Sequence, residues 1–292
     1  MADLYKQSDS NVFKTWILII FFLLFIIGLG LGFSYLLEDS SFLILALILA
    51  IFQLITGLFY SDKIILLMTK AKEIEKKDNP ELYRIVENLC ITAGLPTPKI
   101  YISNEEQPNA FTTGRNKENA TVVVTKGLLN KLNRRELSGV IAHELAHIGN
   151  RDVFLASLVV ILVSIVSLLS RLFLRFNYFG GKRDRKNNSG GILVLLGFVG
   201  ALLAPLVALL IRMSISRKRE FLADADGALL TRDPQGLASA LRKISSDSSP
   251  MKRLDSSTAH LYFSSPFKGK SLSKLFMTHP PVEERIKSLE KL

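Results

Sequence analysis

The sequence contains very few cysteine and histidine residues. Cys90 is the only cysteine among 292 residues, so the chain has no internal disulfide and no zinc site built from cysteines. A single thiol fits a domain in a reducing compartment. Of the four histidines, His143 and His147 lie four positions apart. Half of the histidines therefore fall in one short segment.

Charged residues are missing from two long stretches near the N-terminus, 16–37 and 41–60. At about 1.5 Å per helical residue, each stretch can cross a hydrocarbon core of about 30 Å. Glu38, Asp39 and Ser40 form a polar break between them. The pattern predicts a transmembrane hairpin, since uncharged runs of this length are rare in soluble helix pairs. The first run is too long for a signal-peptide core and predicts a retained anchor.

Two further apolar blocks, 153–174 and 191–211, predict a second hairpin and a total of about four transmembrane helices. Pro205 lies inside the last block and predicts a kink there. The predicted order is a cytosolic tail (1–15), a transmembrane hairpin (16–60), the first half of a cytosolic catalytic domain (61–152), the second hydrophobic hairpin (153–211) and the second half of the domain (212–292).

The net charge of +11 comes largely from segments that flank the apolar blocks. The turn at 38–40 has no basic residue and is predicted to lie outside, which places the tail and the catalytic domain in the cytosol. The basic loop 175–191 conflicts with the rule that basic loops lie in the cytosol, because a fully spanning second hairpin would place this loop outside. Either that hairpin does not fully span or it is an exception to the rule. No nucleic-acid-binding motif accompanies the basic residues, so the predicted partner is the lipid bilayer and not a nucleic acid.

The segment between the hairpins has the mixed pattern of a soluble α+β domain. Apolar spacing predicts a helix over Pro80–Gly94, and β-branched runs predict strands at Lys99–Ser103 and Ala120–Thr125. The stretch between the two strands is predicted to be a loop. The fold class is therefore a mainly α-helical integral membrane protein whose soluble domain carries a small β-sheet.

A helix is predicted over Asn133–Asn150, with Asn133 and Glu136 as a capping box. His143 and His147 project from one face of this helix, and two neutral imidazoles on adjacent turns can bind one zinc ion. Glu144 lies beside the first histidine and can act as a general base on water. His-Glu-x-x-His also occurs by chance in solvated helices, so a third ligand is needed to support this interpretation.

The third ligand does not come from the histidine helix, because the position six residues after His147 is Val153. A glutamate from a later helix is the other common solution. Glu220 and Asp224 lie four residues apart in Ser216–Asp226. We predict that Glu220 completes a site for one Zn²⁺ per chain and that Asp224 orients a ligand imidazole. Without the need for a third ligand, this segment would be interpreted as a charged membrane anchor, because it contains Arg217, Lys218 and Arg219.

The paired motifs, which flank a hydrophobic hairpin, resemble the M48 family of zinc peptidases, and within it the HtpX-type heat-shock proteases. The resemblance covers nearly the whole chain and includes Gln107–Phe111, Thr121–Leu129 and Thr278–Pro280. It implies a gluzincin-type metalloprotease domain and an endopeptidase of the bacterial plasma membrane with a cytosolic active site. It also implies polypeptide substrates, namely misfolded membrane proteins, and a role in protein quality control.

Further site residues are predicted around the metal helix. The strand carrying Val122, Val123 and Val124 is predicted to offer its edge to an extended substrate, although an ordinary internal strand is the alternative. The family motif also places Asn109, Ala110 and Phe111 beside this cleft. For His279 the resemblance suggests a place near the metal, as an oxyanion donor or a fourth zinc ligand, and an exposed loop histidine is the alternative. His260 is predicted to lie on the surface.

Two other classes compete with a membrane-surface protease. A non-proteolytic scaffold could retain a structural zinc site, but such a site needs no base at Glu144. An intramembrane protease buries its histidine motif in an apolar span, whereas charged residues flank the motif here on both sides. They are Arg134, Arg135, Glu136, Arg151 and Asp152. The sequence therefore predicts an active site at the membrane edge.

Overall fold

The computed structural model describes residues 2–180, 216–251, 257–264 and 280–292. The predicted fourth hydrophobic block, with its kink at Pro205, lies outside the described residues, and so does His279. The predicted roles of that block and of His279 therefore stay predictions.

The N-terminal hairpin consists of helices α1 (Ala2–Leu37) and α2 (Ser41–Phe59). Within the described residues, two helical segments are long and apolar enough to cross a membrane, Thr15–Tyr35 and Ser41–Phe59. The helices pack closely where Gly30 faces α2, since a Cβ there would collide with that of Ala46. Residues 2–15, which include the predicted N-terminal tail, form the first part of α1. Apolar side chains cover the outward faces of both helices, among them Phe21, Leu24, Ile48 and Phe52.

Helix α3 (Ser61–Thr69) follows α2, and a later long helix, α7 (Asp152–Gly180), packs against α1 and α2. Phe22 and Ile26 of α1, Ala50 of α2 and Leu158 and Leu162 of α7 share one buried cluster. Helix α7 includes the predicted third block and runs six residues past it, so the start of the predicted basic loop is helical. The helix before α7 spans Arg134–Gly149, and the two are bent by 85° at the break between them. Taken as one unit, the pair is long and apolar enough for a broken span or a re-entrant loop.

The described residues form a four-stranded sheet in the order β1-β2-β4-β3. The strands are β1 (Lys72–Glu73), β2 (Lys99–Ser103), β3 (Ala110–Gly114) and β4 (Ala120–Thr125). Strands β2 and β4 are parallel and β3 pairs antiparallel with β4. The two predicted strands are confirmed with the same bounds. The predicted loop between them is wrong at 110–114, because that segment pairs along β4 as a strand.

The position of β4 corrects a second prediction. Both of its edges are paired, so its backbone has no free edge for a substrate strand. Val122, Val123 and Val124 are fully buried. The alternative of an ordinary internal strand therefore holds for β4, and β3 is the strand at the end of the sheet.

Helices surround the sheet, and all of them except the 3₁₀ helix contribute to one apolar core; Leu261 of the 3₁₀ helix belongs to a separate cluster with Phe111 and Val123. The surrounding helices are α4 (Pro80–Ala93), α5 (Lys126–Lys131), α6 (Arg134–Gly149), α8 (Arg217–Thr231), α9 (Pro234–Ser246), a short 3₁₀ helix (Ala259–Leu261) and α10 (Val282–Leu289). Helix α4 confirms the prediction for that segment: Asn79 caps its start and Gly94, with φ of 64°, ends it. Core residues come from before and after the second hydrophobic hairpin (153–211), for example Ile141 and Leu241. The two parts of the soluble region therefore pack as one unit around α6.

Candidate metal centre

Helix α6 positions the histidine motif inside the core. The predicted capping box is confirmed. The Asn133 side chain accepts a hydrogen bond from the Glu136 backbone amide, and the Glu136 carboxylate accepts a hydrogen bond from the Asn133 backbone amide, each at 3.0 Å. Apolar residues on one side of α6 pack into the core. His143 and Glu144 are buried, and His147 is partly buried. All three line one cavity of about 50 Å³, which is room for an ion and a few water molecules.

Helix α8 brings Glu220 to the two histidines. The backbones of α6 and α8 approach closely at Gly227, where a Cβ would lie 2.9 Å from the backbone nitrogen of His143. Glu220 lies in the first turn of α8, two turns before this contact, and is buried. The close approach of the helices therefore places the carboxylate beside the imidazoles.

The atoms of these three side chains have the spacing of a metal site. The Nε2 atoms of His143 and His147 lie 3.2 Å apart. The Glu220 carboxylate oxygens lie 3.9 Å from Nε2 of His143 and 3.7 Å from Nε2 of His147. A tetrahedral zinc ion with ligands at about 2.0–2.1 Å separates its ligand atoms by about 3.3 Å. His143, His147 and Glu220 could therefore hold a zinc ion with little movement.

Asp224 lies one turn after Glu220 and contacts the first histidine. Its carboxylate is 3.0 Å from Nδ1 of His143. Arg285, from α10, makes a bidentate contact with the same carboxylate at 2.7 and 2.8 Å, and its guanidinium is fully buried. The pair holds Asp224 in place, because removing one partner of such a buried pair costs about 3–5 kcal/mol. The structure thus places the Asp224 carboxylate beside the His143 imidazole.

A second carboxylate contacts the other histidine. Asp152 Oδ2 lies 3.1 Å from Nδ1 of His147, and Asp152 Oδ1 lies 3.4 Å from Nη1 of the buried Arg219. Arg151, with φ of 56°, adopts the left-handed conformation at the bend between α6 and α7. This turn directs the first residue of α7 back toward the last turn of α6. Each histidine therefore has its own carboxylate partner on Nδ1, which leaves Nε2 for a metal.

Sequence analysis missed Asp152, Arg219 and Arg285 as site residues. In the sequence, Asp152 appears only as a charged residue that flanks the motif, and Arg219 has the pattern of a membrane anchor. The missing information is tertiary: Arg285 lies 61 residues from Asp224 in the sequence, and Arg219 lies 67 residues from Asp152. The one local signal is that Asp152 begins an apolar helix five residues after His147.

Burial and neighbouring charges shift the pKa values of the two imidazoles in opposite directions. Burial lowers the pKa of His143 to about 4, which keeps its imidazole neutral, as metal binding requires. Burial also opposes a charge on His147, but the hydrogen bond to Asp152 and the negative charges of Asp152 and Glu220 raise its pKa to about 9. Burial raises the pKa of Asp224 as well, yet the Arg285 guanidinium holds it well below its usual range. The carboxylates of Asp152 and Glu220 thus stabilise positive charge on His147.

Segment 257–264 closes one side of the cavity. Phe263 packs its ring edge-on against the His143 ring at 4.9 Å, and its backbone amide donates to the carbonyl of Ala110 at 2.8 Å. The Asn109 side chain bonds both backbone groups of Ser264. His260 is buried and lines the cavity, so the prediction that it lies on the surface is wrong. Its Nε2 lies 3.2 Å from the carbonyl oxygen of Ala156 on α7.

The predicted cleft residues on β3 lie beside this segment. Asn109, Ala110 and Phe111 are buried at the start of β3, and the cavity wall includes Thr112 of the same strand. The structure therefore brings β3 to the metal cluster, whereas β4 lies behind it.

Comparisons with known proteins place the chain in a peptidase family. The family model for peptidase family M48 matches residues 76–292. A protease HtpX homologue from Caldanaerobacter subterraneus is 44% identical over 295 residues, covering 99% of this chain and 98% of the relative. One from Streptococcus gordonii is 41% identical, covering 99% of this chain and all of the relative. The crystal structure of Ste24p from S. mikatae has a similar fold, with a TM-score of 0.50 and 21% identity over 99% of this chain and 67% of that one. The chain therefore belongs to peptidase family M48 and is a membrane-associated zinc metallopeptidase.

Proposed function

We propose that the protein is an endopeptidase that uses one zinc ion held by His143, His147 and Glu220, with Glu144 as the general base. The proposal rests on the position of Glu144. This glutamate is buried in the same small cavity as the three candidate ligands but is not one of them. A non-proteolytic scaffold with a structural zinc site has no use for this residue. The geometry therefore favours hydrolysis over a structural role.

Glu144, Asp224 and Asp152 are proposed to have different roles in peptide hydrolysis. Zinc, when bound, supplies a Lewis acid that polarises the carbonyl and lowers the pKa of a water ligand. Glu144 takes a proton from the attacking water as the new C–O bond forms, and it passes this proton to the amine nitrogen as the C–N bond breaks. Asp224 and Asp152 accept hydrogen bonds from the Nδ1 groups of His143 and His147, which fixes both tautomers.

The substrate chain is proposed to pass along β3. Asn109, Ala110 and Phe111 lead into this strand and Thr112 reaches the cavity. An extended peptide can pair with a strand at the end of a sheet through main-chain hydrogen bonds. In this structure Phe263 already bonds the carbonyl of Ala110. Binding of a substrate along β3 would therefore require segment 257–264 to move aside.

We propose misfolded membrane proteins as substrates and the cytosolic face of the bacterial plasma membrane as the place of cleavage. His147 contacts the first residue of α7, and α7 packs against both helices of the N-terminal hairpin. The metal cluster thus lies at the end of the membrane helices. The acidic turn at 38–40 has no basic neighbour, which favours an outside position for it and a cytosolic position for the site.

Membrane vesicles of known sidedness test the activity and the orientation together. Purified protein in detergent should cleave casein, lose activity with a strong chelator and regain it with zinc. Inverted vesicles, which expose the cytosolic face, should cleave added casein, whereas right-side-out vesicles should not. Failure in detergent would refute the proteolytic function. Cleavage by right-side-out vesicles alone would instead refute the orientation.

We expect Asp152→Asn to weaken zinc binding by about 10- to 100-fold, because an amide accepts the Nδ1 hydrogen bond of His147 less well than a carboxylate does. The measurement is the zinc content after equilibration with graded chelators. Asp226→Asn is the matched control, since the Asp226 carboxylate accepts from the Asn150 side chain at 3.1 Å. Equal zinc affinity of the two variants would show that Asp152 does not support the site.

A further inference from the structure

A second cavity, of about 320 Å³, lies where the first membrane helix meets the soluble domain. We refer to it as the interfacial cavity. Its apolar wall consists of Val12, Trp16, Ile148, Val153 and Phe154. These residues come from α1, from the end of α6 and from the start of α7. The metal cluster lies outside this cavity, although Val153 lines both.

Three cations line the rim of the interfacial cavity. Arg115 and Lys117 belong to the turn between β3 and β4, and Arg151 belongs to the bend between α6 and α7. Glu118 is the one acidic residue in the lining, so three cations less one anion leave a charge of +2. None of the three cations forms a salt bridge with any residue that the structure describes. A site with uncompensated positive charge attracts an anion.

The interfacial cavity lies level with the ends of the two membrane spans. The first span begins at Thr15, and both Thr15 and Trp16 line the cavity. The second span ends at Phe59, and the guanidinium carbon of Arg115 lies 5.4 Å from the centre of the Phe59 ring. Tryptophan is enriched at this depth of a bilayer, where its ring meets the headgroups. The cations therefore lie at the level of the lipid headgroups.

We propose that the interfacial cavity binds the phosphate of an anionic phospholipid, with its acyl chains against the apolar wall. The phosphodiester meets the guanidinium groups of Arg115 and Arg151 and the ammonium group of Lys117. Arginine suits this role because its planar guanidinium donates paired hydrogen bonds to phosphate oxygens. A soluble anion would use the cations but gain nothing from Trp16 and Phe154, which is why a lipid fits the cavity better.

The single tryptophan of the chain makes a direct test possible. Trp16 is the only tryptophan and lines the interfacial cavity. Because 53% of it is exposed, its fluorescence responds to lipid in the cavity and to surrounding lipid, and the comparison of two lipids separates the two contributions. The full chain in mixed micelles is titrated with phosphatidylglycerol or phosphatidylcholine that carries brominated acyl chains, which quench tryptophan on contact. We expect half-maximal quenching at a lower content of phosphatidylglycerol than of phosphatidylcholine.

Charge variants identify the site. Each cation near an anionic headgroup contributes about fivefold to binding. The double variant Arg115→Gln/Arg151→Gln should therefore need about 25-fold more phosphatidylglycerol for the same quenching, with an unchanged phosphatidylcholine curve. The control, Lys76→Gln/Lys77→Gln, removes two exposed cations that do not line the cavity and should behave as wild type.

Three results would overturn the proposal. One is equal quenching of the wild type by the two lipids, and another is an equal shift in the two double variants, which would indicate general attraction. The third is displacement of brominated phosphatidylglycerol by millimolar inorganic phosphate, which would indicate a site for a soluble anion. An unchanged phosphatidylcholine curve in the Arg115→Gln/Arg151→Gln variant shows that α1 still meets the lipid as before, so misfolding cannot imitate the expected result.

Discussion

Glu144→Gln is expected to reduce peptide cleavage by about 10²- to 10⁴-fold while the protein keeps its zinc, because a general base contributes a factor of this size. The substitution keeps the shape of a side chain that is only 2% exposed. The amide cannot accept the proton of the attacking water. Since Glu144 is not in the candidate ligand group, zinc content should not change. Casein cleavage and zinc per chain are measured on the same purified sample.

A matched control separates loss of the base from loss of a carboxylate elsewhere. Glu284→Gln changes an exposed glutamate on α10, beside Arg285 but outside the cavity, and it should leave cleavage and zinc content unchanged. Substantial cleavage by fully zinc-loaded Glu144→Gln protein would refute the role of Glu144 as base. Loss of zinc together with activity would instead indicate that Glu144 helps to hold the metal.

Local sequence signals predicted the parts of the site that depend on one helix. The spacing of His143 and His147 places them on one face of α6, and the capping box at Asn133 fixes where that helix begins. Glu220 was inferred from the need for a third ligand. All of these follow from helical periodicity and coordination chemistry, which act over a few residues.

The parts of the fold and the site that local sequence did not predict depend on long-range packing. Strand β3 looks like a loop in sequence because its threonines and glycine have little pattern, and pairing along β4 makes it a strand. The same pairing makes β4 internal and removes its edge from the substrate path. Arg285 gains its role from Asp224 on another helix. Arg151 takes a left-handed conformation without being glycine, and this bend is what turns Asp152 toward His147.

Glu220→Gln should cause the largest loss of zinc among the variants considered. A neutral amide oxygen is a poorer zinc ligand than a carboxylate, and zinc sites of this kind use three protein ligands. Loss of a hydrogen-bond partner of a ligand lowers metal affinity by about 10- to 100-fold. We expect Glu220→Gln to lower the zinc affinity by more than this, and casein cleavage to fall with it. Zinc content after equilibration with graded chelators gives the affinity.

The control for this prediction lies on the same helix. Asp226→Asn removes a carboxylate from α8 that contacts Asn150 and no candidate ligand, so its zinc affinity should match wild type. If Glu220→Gln protein binds zinc as tightly as the control, Glu220 is not the third ligand. Such a result would point to a ligand from another part of the chain. The order of affinities, with wild type and Asp226→Asn above Asp152→Asn and Glu220→Gln lowest, therefore tests the ligand and its supporting carboxylate in one series.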